Sequence, residues 1–261
     1  MIYAIIQARM GSARLPNKIF MEFCKKPNLY HVYNRVHRSK KIDKVIIATT
    51  VQREDDRVYE FCKKNGIDCF RGSQDDVLDR YYQCCLDLKA LPEDSIVRIT
   101  ADCPLIDSSI IDDVIDFYKN NNYDYASNTY EPTFPDGLDL EVFSFQSLKK
   151  AWEEANLLSE REHVTPYIKK NSEIFKIGSY KNNKNLSHLR WTLDEIEDYQ
   201  LISIIYENLY NEEGVFATKE ILAFLSTNPE LNKINDKYIR NEGYLKSLKE
   251  DRQVGRKDDN D

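Results

Sequence analysis

Residues 1–7, "MIYAIIQ", are apolar with almost no alternation, the pattern of a strand buried on both faces. The stretch "KVIIATT" (44–50) reads the same way. Between them, "LYHVYNRVHRS" (29–39) puts Leu29, Val32, Tyr33 and Val36 on one helical face. "REDDRVYEFCKKNG" carries acids early, lysines late and Gly66 as its stop, which predicts a second helix. "IDCFRG" (67–72) predicts a short strand, and "SQDDVLDRYYQCCLDLKAL" a helix opened by Ser73 and two acids. "DSIVRITAD" (94–102) predicts a third long strand. "DSSIIDDVIDFYKNNN" is the helix after it, and "DYASN" one more strand.

Strand–helix alternation with near-continuous apolar strands predicts an α/β fold: a mostly parallel, Rossmann-like sheet covered by helices on both faces. Ligands of such sheets sit outside the carboxyl ends of the strands. From about residue 129 the pattern changes. "TYEPTFPDGLDLEVFS" has two prolines and a glycine before a short alternating strand. "SLKKAWEEANLLSEREHVTPYIKKN" predicts two helical pieces broken near Ser159, and "EIFKIGSY" a strand. "HLRWTLDEIEDYQLISIIYENLY" returns to strand, then helix. The reading is one domain over 1–250, with roughly 130–185 as an inserted lobe away from the main sheet. The charged end, 251–261, is expected to be disordered.

A chain of 261 residues supports a substantial core, and no run of eighteen apolar residues marks a membrane span. "MIYAII" is too short for a signal peptide and has no basic flank, so a cytosolic location is the default expectation. Six cysteines without a C-x-x-C pair, and four scattered histidines, argue against a zinc site and for reduced thiols. The formal net charge of −7 argues against a nucleic-acid partner.

Against that acidic background, Arg9, Arg14 and Lys18 crowd the loop after the first strand. Both G-x-x-x-x-G-K-[ST] and G-x-G-x-x-G are missing. Gly11 and Ser12 make the turn instead, and backbone N–H groups there would form an anion nest. Arginine grips phosphate with paired hydrogen bonds, and lysine acts as a point charge. The plainer alternative is a solvated loop paired with nearby acids. Asp102 ends a buried strand, where it is either a hard-cation ligand or a turn residue. Asp194 stands at a strand–helix junction, where it is either a ligand or an N-cap boxed with Glu197. Asp76 and Arg80, four apart, either pair on a helix surface or serve a site. Asp139 and Glu141 share one face of an extended strand. Ser159 and Glu162 fit a capping box, which leaves Arg161 and His163 unexplained. Trp191 reads as core.

"QARMGSARLPNK" resembles the A-R-x-G-S-x-R-L-P-x-K nucleotide-binding signature of the cytidylyltransferases that activate acidic sugars. Acylneuraminate and 3-deoxy-manno-octulosonate cytidylyltransferases are among them. "GSQDDVLDRYY", "RITADCPLID", "DGLDLEVFS", "REHVTPYI", "LRWTLDEIEDYQLI" and "INDKYIRNEGYLKSLKED" are similar to the spore coat polysaccharide biosynthesis protein F-like branch. The resemblance implies a nucleotide-diphospho-sugar transferase fold. It implies that Ala8, Arg9, Gly11, Ser12, Arg14 and Lys18 wrap the triphosphate of CTP, with Arg9, Lys18 and Asp102 catalytic. Asp102 and Asp194 would hold Mg2+. Arg80, or less directly Arg98, would read the cytosine edge. Asp136, Asp139, Glu141, Arg161, His163 and Tyr167 would line the sugar-acid pocket, with Arg161 on the acceptor carboxylate and His163 assisting the attacking hydroxyl. The implied product is a CMP-sugar for surface polysaccharide or glycan, made by a homodimer that pairs through the inserted lobe. One departure is Asn17, where relatives usually carry glycine. Rival readings are a nucleotidyltransferase acting on a sugar phosphate or another phosphorylated or phosphonate acceptor, with CTP or another NTP, a metal-dependent glycosyltransferase, and a nucleotide-binding protein without catalysis.

Overall fold

The computed structural model describes residues 1–211 and 216–251. Its strands are β1 (Ile2–Gln7), a small hairpin of β2 (Glu22–Phe23) and β3 (Lys26–Pro27), β4 (Lys44–Thr50), β5 (Asp68–Gly72), β6 (Ser95–Thr100), β7 (Tyr125–Ser127), β8 (Glu141–Ser144) and β9 (Ile177–Ser179). The helices are α1 (Asn28–His37), α2 (Asp56–Asn65), α3 (Val77–Asp87), α4 (Ser108–Asn120), α5 (Phe145–Glu154), α6 (Leu158–His163), α7 (Pro166–Lys170), α8 (Ile196–Leu209), α9 (Thr218–Thr227) and α10 (Glu242–Lys249).

Seven strands form one sheet in the order β5-β4-β1-β6-β8-β7-β9. β1 is central and buried on both faces. Ile2, Ala4 and Ile6 join the core under α1, α4 and α8, while Tyr3 and Ile5 join the opposite core under α3 and α5. The chain leaves β1 toward β4 and β5, then returns to place β6 on the other side of β1, in register from Ile2↔Ser95 to Gln7↔Thr100. That reversal of winding opens a crevice above the carboxyl ends of β1 and β6, where open α/β sheets bind ligands.

β5, β4, β1 and β6 pair in parallel, as do β7 and β9. β8 runs antiparallel between β6 and β7, so the sheet is mixed. Because β8 and β9 are strands of the main sheet, 130–185 is not an excursion from it. "HLRWT" forms only an isolated bridge, Asp136↔Arg190, because Gly137 turns the chain away (φ 102°). The helical stretch 145–170 breaks twice, before Leu158 and at Val164, whose φ is 71°. The cap of α3 is Asp76, which accepts from Asp79 N at 2.8 Å, while Ser73 supports Asp76 one turn earlier. Residues 252–261 of the expected disordered tail lie outside the described residues. Asp251 accepts from Ser159 N at 3.0 Å and Ser159 Oγ at 2.8 Å.

Two stability predictions follow from packing. A Cβ on Gly137 would sit 2.4 Å from the Trp191 carbonyl carbon, and the φ is one that L-residues avoid. Gly137→Ala therefore costs at least about 2 kcal/mol, read as a lower Tm. His31 is buried, with Nε2 2.8 Å from the Phe23 carbonyl oxygen, and burial holds its pKa down at about 4. The unfolded chain takes the proton first. Unfolding free energy therefore falls as pH drops from about 6.5 toward 4, which denaturant titration at each pH measures.

Candidate active site

The crevice is a cavity of about 1130 Å³. Its first wall is the loop after β1. Asp55, buried under the loop, accepts from Met10 N at 2.7 Å, and Ser12 N donates to Met10 O at 2.8 Å. This fixes a turn in which Ala8, Arg9, Gly11, Ser12, Arg14 and Lys18 all face the cavity. Asn17 adopts φ 59°, in the left-handed region. Asparagine is among the few residues other than glycine that settle there, which accounts for the departure from the signature.

The second wall carries the carboxylates. Asp102 follows β6, and its carbonyl accepts from Leu193 N at 2.8 Å, which draws the 192–194 segment alongside. Lys18 Nζ then bridges Asp102 Oδ2 at 2.8 Å and Asp194 Oδ1 at 2.7 Å. Burial pushes the Asp102 carboxyl up, but Lys18 more than offsets this and holds it at about 2. Asp194 is not a helix cap. Glu195 is the N-cap of α8, and Asp198, three residues on, reaches back to accept from Asp194 N and Glu195 N, both at 2.9 Å. The Asp194 side chain is thereby released to the cavity, where it meets Lys18 and Arg14. Asp198 is fully buried and bidentate with Arg190, at 2.9 Å on each oxygen. Arg190 reaches on to Asp136 at 3.2 Å.

Arg80 closes the β5 side. It is 1% exposed, donates from Nη1 to Ser73 O at 2.8 Å, and leaves Nε without a partner. No acid pairs with it among the described residues. Asp76, its alternative surface partner, pairs instead with Arg161. Burial pulls the Arg80 pKa down, and Arg9 and Arg98 pull it further, partly opposed by Tyr81 and Asp55. Arg98, by contrast, is satisfied by Gln7 and Glu141. Glu141 is buried among Arg98, Tyr125, Thr165 and Lys169, and these hold its carboxyl well below the usual range despite burial.

Asp136, Asp139, Glu141 and His163 all line the cavity. Arg161 and Tyr167 do not. Arg161 is spent on Asp76 and the Trp152 carbonyl, because α6 turns it toward α3, and Tyr167 faces outward to Glu154. Ser159 is not a cap with Glu162. Glu160 takes that role, accepting from Asn156 N and Leu157 N. Ser247 has one proton to give. With that proton on Glu162 (2.8 Å), its oxygen accepts from His163 Nε2 at 2.9 Å. Burial holds the His163 pKa near 4, which makes it a poor base at neutral pH. Trp191 is core.

Sequence reasoning missed Lys169, Arg190 and α10 as cavity residues, and Arg240 as the partner of the cavity residue Asp139. Arg240 pairs with Asp139 and donates to Phe134 O at 3.0 Å. The signal was present in "YIRNEGYLKSLKED", a segment that looked like family but carried no recognised chemistry.

Among the described residues, no group of three or more His, Cys, Asp or Glu side chains is arranged to hold a metal alone. Asp102 and Asp194 supply two hard oxygen donors on one wall, converging on a cation. That set fits Mg2+, which typically takes one or two carboxylates and completes its shell with substrate phosphates and water.

An unpaired buried guanidinium is costly to the fold. Arg80→Met therefore leaves Tm unchanged or raises it, in contrast to truncation of Lys18, which takes from Asp102 its only ion-pair partner and from Asp194 one of its cations, and lowers Tm. Calorimetric scans of the two variants check both.

A cytidylyltransferase family model matches residues 3–233. An uncharacterised protein of Methanocaldococcus jannaschii is 38% identical over 93% of this chain and 97% of its own length. The spore coat polysaccharide biosynthesis protein SpsF of Bacillus subtilis is 31% identical over 88% of this chain and 95% of its own. A solved cytidylyltransferase from Leptospira borgpetersenii superposes with a TM-score of 0.83 at 36% identity, covering 91% of this chain and 98% of that one. At greater distance, a 3-deoxy-manno-octulosonate cytidylyltransferase of Thermodesulfovibrio yellowstonii is 28% identical over 81% of this chain and 88% of its own. A CMP:2-keto-3-deoxy-manno-octonic acid synthetase shares the nucleotide-diphospho-sugar transferase fold, with a TM-score of 0.59, 16% identity, and coverage of 80% of this chain and 99% of that one. With its basic loop, its paired carboxylates and these matches along nearly its whole length, the chain belongs to the cytidylyltransferase family.

Proposed function

We propose that the protein transfers CMP from CTP to a sugar acid and releases pyrophosphate, for surface polysaccharide or glycan synthesis. The observation that carries this reading is that Arg9, Arg14 and Lys18 share one crevice with Asp102 and Asp194, with Arg14 and Lys18 ion-paired to these acids. It is supported by family membership and by relatives named for sugar-acid activation and coat polysaccharide.

In this reading Arg9, Arg14 and Lys18 neutralise the β- and γ-phosphates, and the backbone at Gly11 and Ser12 lets the chain approach them. Arg80 accounts for base choice. Its free donors fit the adjacent O2 and N3 acceptors of cytosine, whereas uracil presents an N–H at N3. The acceptor hydroxyl attacks the α-phosphorus in line, the bond to the β-phosphate oxygen breaks, and the hydroxyl proton is lost to solvent or to a cavity carboxylate. Asp136 is a candidate, because burial and Asp139 raise its pKa. Asp102 and Asp194 would hold Mg2+, which supplies charge neutralisation at the reacting phosphates. Catalysis is then chiefly positioning and electrostatics. The proposal includes a homodimer, which light scattering reads.

The test is pyrophosphate release with Mg2+ and each NTP over a panel of sugar acids and sugar phosphates. Release with CTP and sugar acids alone is expected; release only with phosphorylated acceptors would remove the substrate assignment. Asp102→Asn should lower turnover by at least about 100-fold while Tm moves little. Arg80→Met should weaken CTP binding about 10-fold or more, with Tm held.

A further inference from the structure

Arg14, which this reading assigns to the triphosphate, is ringed by acids. Its guanidinium lies 3.0 Å from Asp194, 3.3 Å from Glu195 and 2.8 Å from Glu242. Lys18 beside it is shared by Asp102 and Asp194. Two cations thus face four carboxylates at the place where a polyanion has to be held. A triphosphate cannot share Arg14 with all three of its acids, because like charges at that range repel strongly.

The three acids differ in how they are fixed. Asp194 and Glu195 are tied through their backbone N–H groups to buried Asp198. Glu242 is on α10, past the matched residues 3–233, and its side chain is 61% exposed. α10 begins after Asn241, whose φ is 60°. Its only buried side chain is Ser247, while Leu245 and Leu248 are exposed, so it contributes no buried apolar surface to the core. It rests on the body through polar contacts, Ser247 with Glu162 and His163 and Asp251 with Ser159, and through one half-buried ring, Tyr244, against His163 and Lys169. An element held this way opens at little cost. Yet Ile239, Asn241, Glu242, Tyr244 and Lys246 all line the cavity.

We infer that Glu242 stands in for the triphosphate on Arg14, and that an arriving triphosphate displaces it and lifts α10 from the cavity. Glu242 is thereby a selectivity residue for the triphosphate. A nucleoside monophosphate carries no β- or γ-phosphate to take Arg14 and leaves α10 seated. Lifting α10 also moves Ser247 and Tyr244 away from His163 and Lys169, so nucleotide entry opens the acceptor half of the cavity.

The inference rests on CTP being the nucleotide, and one pair of measurements on the full chain separates the two claims. Titration calorimetry reports CTP binding, and hydrogen exchange reports residues 241–250 with CTP or with CMP. The expected results are faster exchange with CTP but not with CMP, and CTP binding to Glu242→Gln roughly two- to five-fold tighter than wild type, the range of one exposed ion pair lost from the competing state. The exposed position of Glu242 leaves that variant folded, and circular dichroism checks this. CTP that binds while exchange slows or stays unchanged, or a variant that binds no tighter, overturns the displacement and leaves the function standing. Absence of CTP binding in wild type and variant alike overturns the nucleotide assignment and the displacement with it.

Discussion

The buried pair of Arg190 and Asp198 is the contact on which the rest of the site depends. Two full charges are taken out of water there, and the cost is met by geometry: both carboxylate oxygens take a guanidinium N–H, and one also takes Asn235 Nδ2 at 2.8 Å. Asp198 binds the backbone N–H groups of 194 and 195, so Asp194 turns inward. Arg190 binds Asp136, so the Gly137 turn is held against Trp191. One ion pair thus sets two walls of the cavity from residues 136 and 194. Removing Asp198 would leave buried Arg190 to Asp136 and, more distantly, Asp194, and removing Arg190 would leave the Asp198 carboxylate hydrogen-bonded but without a counter-charge.

The charged groups around the cavity fall into two electrostatic kinds. Lys18, Arg98 and Arg190 are matched by acids and belong to the framework as much as to the site. Arg80 is unmatched, and the fold bears its desolvation. The matched groups keep shape; Arg80, and Arg9 in the loop, have no acid paired with them among the described residues and are the cations left to the proposed nucleotide. This explains how an acidic protein keeps a basic loop in place. The acids that hold the loop are the residues proposed to exchange partners when metal and nucleotide arrive.

Much of the frame was legible from the chain. β1, β4 and β6 are apolar runs buried on both faces, and such runs have few other places to go. Asn17 was readable as a strained position because few residue types accept φ near 59°. Legibility failed where one residue had two uses. Asp194 and Glu197 fit a capping box by spacing, yet Glu195 is the N-cap, and Asp198 reaches back to it because it is also anchored by Arg190. Arg161 carried the right chemistry for an acceptor carboxylate but is claimed by Asp76, eighty-five residues away. β8 could not be told from a parallel strand, because hydrophobic alternation carries no direction. α10 was overlooked because it buries no apolar stripe, the one signal that periodicity detects.

The contact of Arg14 with Glu242 joins positions 228 residues apart. It sets the order in which the molecule comes into being during synthesis. β1 emerges first and must wait for β4 and β6 before it is covered on either edge. The sheet can be complete by β9, and the Arg190–Asp198 pair soon after. Among the described elements, α10 at the roof of the cavity leaves the ribosome after all the others. Each newly made chain therefore passes through a stage in which the framework can fold around a basic loop that α10 has not yet reached.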